Sequence, residues 1–134
     1  MPFVVDNSVV VAWFFPGQAT DYTDSVLDRL KADTAHVPAL WVLEFSNVLR
    51  KAVMNHKLAM ESALEIIAEA EKLPFSVDYT ATATAHNLEL AIRHGLSSYD
   101  AAYLDLAMRL GLPVAAKDGA LHDAAIRAGV GVVG

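Results

Sequence analysis

Four carboxylates are spaced so that a wound α/β chain would bring them to one edge of a sheet: Asp6, Glu44, Asp100 and Asp118. Asp6 ends the first apolar run, Phe3-Val4-Val5. Glu44 interrupts an apolar helix face, with Leu40, Trp41 and Val48 one turn away. Asp100 and Asp118 are read as opening the last two helices. Carboxylates gathered in one place repel, by about 4 kcal/mol per pair at 4 Å where the effective dielectric is near 20. Protons or hard cations must offset that repulsion. An all-oxygen ligand set that leaves room for water and phosphate suits Mg²⁺ or Mn²⁺. The chemistry indicated is metal-dependent reaction of a phosphate ester.

Each acid also has an ordinary structural use. Asp6, Asn7 or Ser8 could cap a short helix, and Ser8 could instead orient a water beside an ion. Glu44 could pair with Lys51, seven residues on. Ser97-x-x-Asp100 has the spacing of a capping box. Asp118 could be an N-cap. The conjunction decides in favour of a site, because four separate accidents would all have to face one sheet edge. Other acids read as structural. Asp105 stands four residues before Arg109, the spacing of a helix-surface pair, and Asp78 reads as a cap.

The elements that must position these residues follow from periodicity and punctuation. Strands are expected at Phe3–Val5, Ala35–Val37, Phe75–Val77, Pro113–Ala115 and Gly131–Val133. Helices are expected at Val9–Phe15, Thr20–Ala32, Ala39–Asn55, Ala59–Lys72, Thr80–His94, Ser98–Leu110 and Asp118–Ala128. Strands alternating with helices or helix pairs predict an α/β fold: one three-layer α/β/α domain over residues 1–134, with a central parallel sheet of about five short strands. Sites in such sheets lie beyond the carboxyl ends of the strands, at a topological switch point. Asp6 and Asp118 meet there if the first and fourth strands are neighbours.

Composition narrows the classes. Of 134 residues, 54% are hydrophobic, which suits a sheet covered on both faces and a subunit interface. The chain has no cysteine, which excludes disulfides and thiolate zinc sites. A net charge of −6 argues against a general nucleic-acid coat but leaves a nuclease with local contacts open. Arg50-Lys51 and His56-Lys57 are candidates for such contacts, and Trp13 and Tyr99 for base stacking. The start, Met1-Pro2-Phe3, lacks a signal peptide's basic region, and no apolar run is long enough for a membrane span; a cytoplasmic chain is expected. Gly129-x-Gly131-x-x-Gly134 has dinucleotide-motif spacing but follows a helix, so it reads as a helix stop and a last strand.

Several segments, in order, resemble the PIN-domain family of VapC-type toxins. They are Val4-Val5-Asp6-Asn7-Ser8-Val9 with Trp13-Phe14-Phe15-Pro16, Pro38–Leu49 around Glu44, Gly95–Leu104 around Asp100, and Leu112–Leu121 around Asp118. The resemblance spans nearly the whole chain. It implies a PIN-like fold and a Mg²⁺- or Mn²⁺-dependent ribonuclease, the toxin of a toxin–antitoxin pair. It implies a homodimer inhibited by a cognate antitoxin, an RNA substrate, and Asp6, Glu44, Asp100 and Asp118 as the catalytic, metal-binding quartet. One position departs: many relatives carry Thr or Ser two residues before the fourth acid, where this chain has Ala116.

Two other classes compete. A PIN-like scaffold that binds a partner without catalysis would tolerate Ala116. A phosphoacceptor receiver domain would share the length and acidic pocket, with Asp78 as acceptor and Lys117 nearby, but only one acid follows the first strand.

Overall fold

The computed structural model describes residues 1–134 and builds outward from β1 (Phe3–Val5), whose three side chains are all buried. A strand covered on both faces needs apolar residues without alternation, and Phe-Val-Val supplies them. Parallel neighbours flank β1. β2 (Ala35–Pro38) pairs Phe3 with Ala35 and Val4 with His36; β4 (Val114–Ala115) pairs Val4 with Val114 and Val5 with Ala115. β3 (Phe75–Asp78) lies outside β2, giving the order β3-β2-β1-β4. The chain therefore winds from β1 to β3 on one side and returns to place β4 on the other. The gap between the carboxyl ends of β1 and β4 is the switch point.

The helices are α1 (Asn7–Phe14), α2 (Asp21–Arg29), α3 (Leu40–Met54), α4 (Met60–Glu71), α5 (Thr84–His94), α6 (Ser98–Leu110) and α7 (Ala120–Arg127). Two apolar clusters sandwich the sheet. Phe3 and Val5 pack with Val9, Val10, Val26, Phe45 and Leu49; Val4 packs with Tyr103, Leu104, Leu106, Leu121 and Ala124. That division follows from the alternation of side chains along a strand. The expected three-layer α/β/α architecture is present.

Local chemistry explains several boundaries. The Thr20 and Thr23 side chains form a reciprocal capping box that starts α2. Gly95 and Gly111 take left-handed φ values of 63° and 65°, which end α5 and α6 without a Cβ clash.

The structure corrects four expectations. The sheet has four strands, because the expected fifth, Gly131–Val133, contributes only a single parallel bridge from Val132 to Val114. Gly129 and Gly131 both adopt positive φ there, which breaks extended geometry on either side of Val130. Asp78 does not cap a helix. It accepts from the Thr80 backbone N–H at 2.8 Å, making a turn, and α5 starts later, at Thr84. Asp118 does not open α7, since Gly119 occupies the cap position. Asp105 is buried, and its pair with Arg109 is part of a larger network.

That network ties three elements together. Asp105 accepts from Arg109 Nε at 3.1 Å and stands 3.0 Å from His86 Nε2, while Arg109 Nη1 donates to Asp78 at 3.3 Å. It links α5, α6 and the end of β3. Replacing Asp105 by Ala removes charge-assisted bonds at a buried position, and the expected loss is about 2 kcal/mol. Urea denaturation reads it as a lower midpoint; an unchanged midpoint would show that the network contributes nothing.

Candidate active site

Asp6 leaves β1 at the switch point and begins α1. Its backbone N–H donates to the Ala115 carbonyl at 2.9 Å, which extends the β1–β4 ladder by one bond. Its Oδ2 accepts from both the hydroxyl and the backbone N–H of Ser8. Asp6 is thus the N-cap of α1, and the cap fixes the direction of its carboxylate. The structural and functional uses expected of Asp6 are compatible, and Ser8 is the residue that orients it.

Glu44 lies in α3 and is partly buried. Its partner is not Lys51 but Tyr103, whose hydroxyl donates to Oε1 at 2.7 Å. Tyr103 is fully buried in α6, so this bond crosses from one helix to another beneath the sheet edge. Nothing in the local pattern marked it beyond a polar group on an otherwise apolar helix face. Asp100 stands in the first turn of α6, and Ser97 caps the helix by accepting from the Asp100 backbone N–H at 3.0 Å. The Asp100 side chain is left free of that bond.

These three carboxylates feel one another. Burial pushes the Asp6 carboxyl above its usual range, against the Ser8 hydrogen bonds and Lys117, which pull it down. Burial also raises Glu44; the Tyr103 hydroxyl opposes this, and the negative charges of Asp6 and Asp100 add to it. Asp100 is raised by burial and by Asp6. The Tyr103 hydroxyl is held firmly protonated by burial and by Glu44. Crowded acids pushed upward by desolvation and like charge mark a site that a cation would relieve.

Asp118 is placed differently. β1 and β4 are neighbours, but Ala116 and Lys117 carry the chain onward, and the Asp118 side chain is fully exposed. Its near neighbour is His122, at 3.9 Å. The structure therefore brings together Asp6, Glu44 and Asp100, and leaves Asp118 outside that group.

The donor set fits a hard divalent ion in its chemistry. It offers three carboxylates, no nitrogen or sulfur competitor, and an amide oxygen of Asn7 that is buried and has no partner. No three of the acids already stand at ligating distance, so an ion would draw the side chains inward.

The other candidates separate cleanly. Trp13 packs edge-on against Phe75 and donates to the Thr23 carbonyl at 2.9 Å, which makes it core. Tyr99 is exposed beside Asp100. Arg50, Lys51, His56 and Lys57 lie exposed at the far end of α3 and the turn after it. Asp78, the acceptor of the receiver reading, lies on the edge strand two positions from β1 and is engaged by Thr80 and Arg109. It is not available to that chemistry.

The chain is similar to several known proteins. The PIN domain family profile matches residues 3–127. Ribonuclease VapC3 of Pyrobaculum aerophilum is 27% identical over 113 residues, covering 83% of this chain and 85% of the relative. Ribonuclease VapC1 of Mycobacterium tuberculosis is 30% identical over 94 residues, covering 69% and 68%. Among solved structures, PAE2754 of Pyrobaculum aerophilum superposes with a TM-score of 0.70 at 20% identity, covering 92% of this chain and 84% of that one. VapBC2 of Rickettsia felis, bound to a DNA fragment from its promoter, gives 0.69 at 14%, covering 98% and 96%. At those identities the structural likeness concerns the fold.

Two expectations follow from the site's electrostatics. A carboxyl whose pKa is raised on folding adds stability below its unfolded value and loses it as pH rises through its folded value. Asp6, Glu44 and Asp100 are all raised, from ordinary values of 3.8, 4.5 and 3.8. The metal-free protein should therefore lose thermal stability as pH rises above the ordinary carboxylate range. Asp100→Asn should be more stable than wild type at neutral pH without metal, and Mn²⁺ should raise the wild-type melting temperature more at pH 8 than at pH 5. A variant no more stable than wild type would contradict the crowding. Separately, Tyr103→Phe removes the bond to Glu44 and should cost about 1 kcal/mol of stability, read from a denaturation midpoint in EDTA.

Proposed function

The chain belongs to the PIN-domain family, and on that footing we propose that it is a divalent-metal-dependent endoribonuclease, the toxin of a toxin–antitoxin pair. The observation that carries this reading is the electrostatically coupled group of Asp6, Glu44 and Asp100 at the switch point of the sheet. The names of the VapC relatives support RNA as the substrate, and the VapBC2 neighbour supports an antitoxin as partner.

Asp6, Glu44 and Asp100 would hold Mg²⁺ or Mn²⁺. When bound, the ion supplies Lewis-acid polarisation of a phosphodiester and acidification of water. The chain's residues do the rest. Ser8 occupies Oδ2 of Asp6 and holds the carboxylate in one orientation. Tyr103 occupies Oε1 of Glu44, which leaves Oε2 for an ion or a water proton. The Ser97 cap and the helix N-terminus steady Asp100. Asp118 would serve as the outer carboxylate of the expected quartet, reaching an ion through water from its exposed position. In-line attack by water leaves a 5′-phosphate and a 3′-hydroxyl. Exposed Leu43 and Met54 on α3, Met60 and Leu64 on α4, and Leu88 and Ile92 on α5 would offer apolar surface to the expected antitoxin and second copy. The protein would act in the cytoplasm.

A second reading, a PIN-like scaffold without catalysis, is favoured by Ala116 and by the separation of Asp118 from the other three acids. One experiment separates them. A cellular RNA pool is incubated with the wild type, with Asp6→Asn and with an EDTA control, and fragment ends are mapped. Asn preserves the helix cap, so Asp6→Asn should fold and yet lose cleavage by about 100-fold or more. Discrete, metal-dependent cuts with 5′-phosphate ends are expected from the wild type. Equal cleavage by the variant would overturn the assignment of Asp6, and a folded wild type that binds Mn²⁺ and cuts nothing would favour the scaffold.

A further inference from the structure

A cavity of about 630 Å³ opens just past the end of β4, where Ala116, Lys117 and Asp118 leave the strand. Its size is that of a small-molecule site. Ala116, Lys117 and Asp118 form one wall, Tyr22 of α2 and His122 of α7 form others, and Val132 and Val133 close the base. We infer that this cavity is a nucleotide subsite, with Lys117 taking a phosphate and the Tyr22 and His122 rings receiving the base next to the scissile bond. The inference rests on the ribonuclease reading above and assigns where that substrate is held.

Lys117 connects the cavity to the acids. Its charge acts on Asp6, and its Nζ gives one proton to the Gln18 carbonyl at 3.1 Å. An ammonium has three donors, so two remain. In a chain of net charge −6, a phosphate is held only where a local cation meets it. Lys117 is such a cation, placed at the switch point.

The ring pair is suited to a base. The Tyr22 hydroxyl donates to the Val133 carbonyl at 3.0 Å, which fixes the ring as a wall. His122 Nδ1 is buried without a partner, and Nε2 is 3.9 Å from Asp118, too long for a hydrogen bond. His122 is partly buried, and its Nε2 edge, which is not sealed in the fold, is the one that a ligand in the cavity can meet. Aromatic walls with one open ring nitrogen suit stacking on, and hydrogen bonding to, an unpaired base.

The two charges also select the ligand. Lys117 and Asp118 are adjacent in sequence and opposite in sign. A plain anion that fills the cavity meets the Asp118 carboxylate. A ligand with a phosphate at one end and amino or imino donors at the other satisfies both. A nucleotide with an amino-bearing base has that polarity, and an acidic peptide does not.

The test is made without metal, so that cleavage plays no part. Wild-type protein in EDTA is titrated with each common ribonucleoside 5′-monophosphate, and with inorganic phosphate for comparison, while NMR follows the His122 imidazole and the Lys117 side chain. Millimolar mononucleotide should move both resonances, and inorganic phosphate should move Lys117 alone. Lys117→Ala and His122→Ala should each weaken mononucleotide binding about tenfold, the worth of one charge-assisted or buried hydrogen bond. His122→Gln, which keeps a polar side chain, should fold and bind with intermediate strength. The assignment is overturned if no mononucleotide moves His122, if neither substitution changes binding, or if an acidic peptide binds there and nucleotides do not. Mononucleotide binding in a protein that never cuts RNA would remove the nuclease reading and keep the subsite. Cleavage by a protein whose cavity ignores mononucleotides would do the reverse.

Discussion

Burial of three carboxylates, Asp6, Glu44 and Asp100, near one another is the constraint on which the rest of the site depends. Each is raised by burial, and Glu44 and Asp100 are raised further by neighbouring negative charge. Such a group is poor material for stability, because burying charge without a partner is unfavourable. The fold holds it in place with uncharged devices. A serine hydroxyl grips Asp6, a buried tyrosine grips Glu44, and a serine cap starts the helix that carries Asp100. None of these neutralises the charge. They fix direction and leave the charges uncompensated, which is what the proposed cation site requires.

The scaffold makes that possible by delivering the acids from separate elements. Asp6 follows the central strand, Glu44 comes from the helix after β2, and Asp100 comes from the helix before β4. The winding of β1 between β2 and β4 opens a gap at the carboxyl edge, where a parallel sheet has no connection of its own to fill it. Two apolar clusters, one on each face, make this edge rigid. Rigidity matters because like charges would otherwise move apart. Lys117, whose charge acts on Asp6, also lines the cavity past β4, so the proposed ion site and the inferred nucleotide subsite would share one edge.

Much of this was legible in the sequence. Apolar runs, the Pro16-Gly17 and Gly111 stops, and the order of strands and helices identified the three-layer architecture and put Asp6 at a strand end. Ser97-x-x-Asp100 marked the start of α6, and the structure has that helix at Ser98–Leu110. What the sequence could not show was side-chain direction and long-range pairing. Tyr103 and Glu44 are 59 residues apart, and no local pattern links them. Asp118 was expected beside Asp6 because their strands are neighbours, but two intervening residues are enough to turn a side chain outward. The last strand failed because glycines at 129 and 131 both take positive φ, which periodicity does not register. Asp105 had the spacing of a surface pair, and its burial depended on how α5 packs against α6.

The most direct test of the account is to locate the ion. Crystals of the wild-type protein soaked in Mn²⁺ would be measured for anomalous scattering. The account predicts a peak at the switch point, within ligating distance of carboxylate oxygens from Asp6 and Asp100, with Glu44 turned toward it. A peak elsewhere, or none in crystals whose Asp6, Glu44 and Asp100 remain apart, would contradict the claim that these acids are gathered to hold a metal.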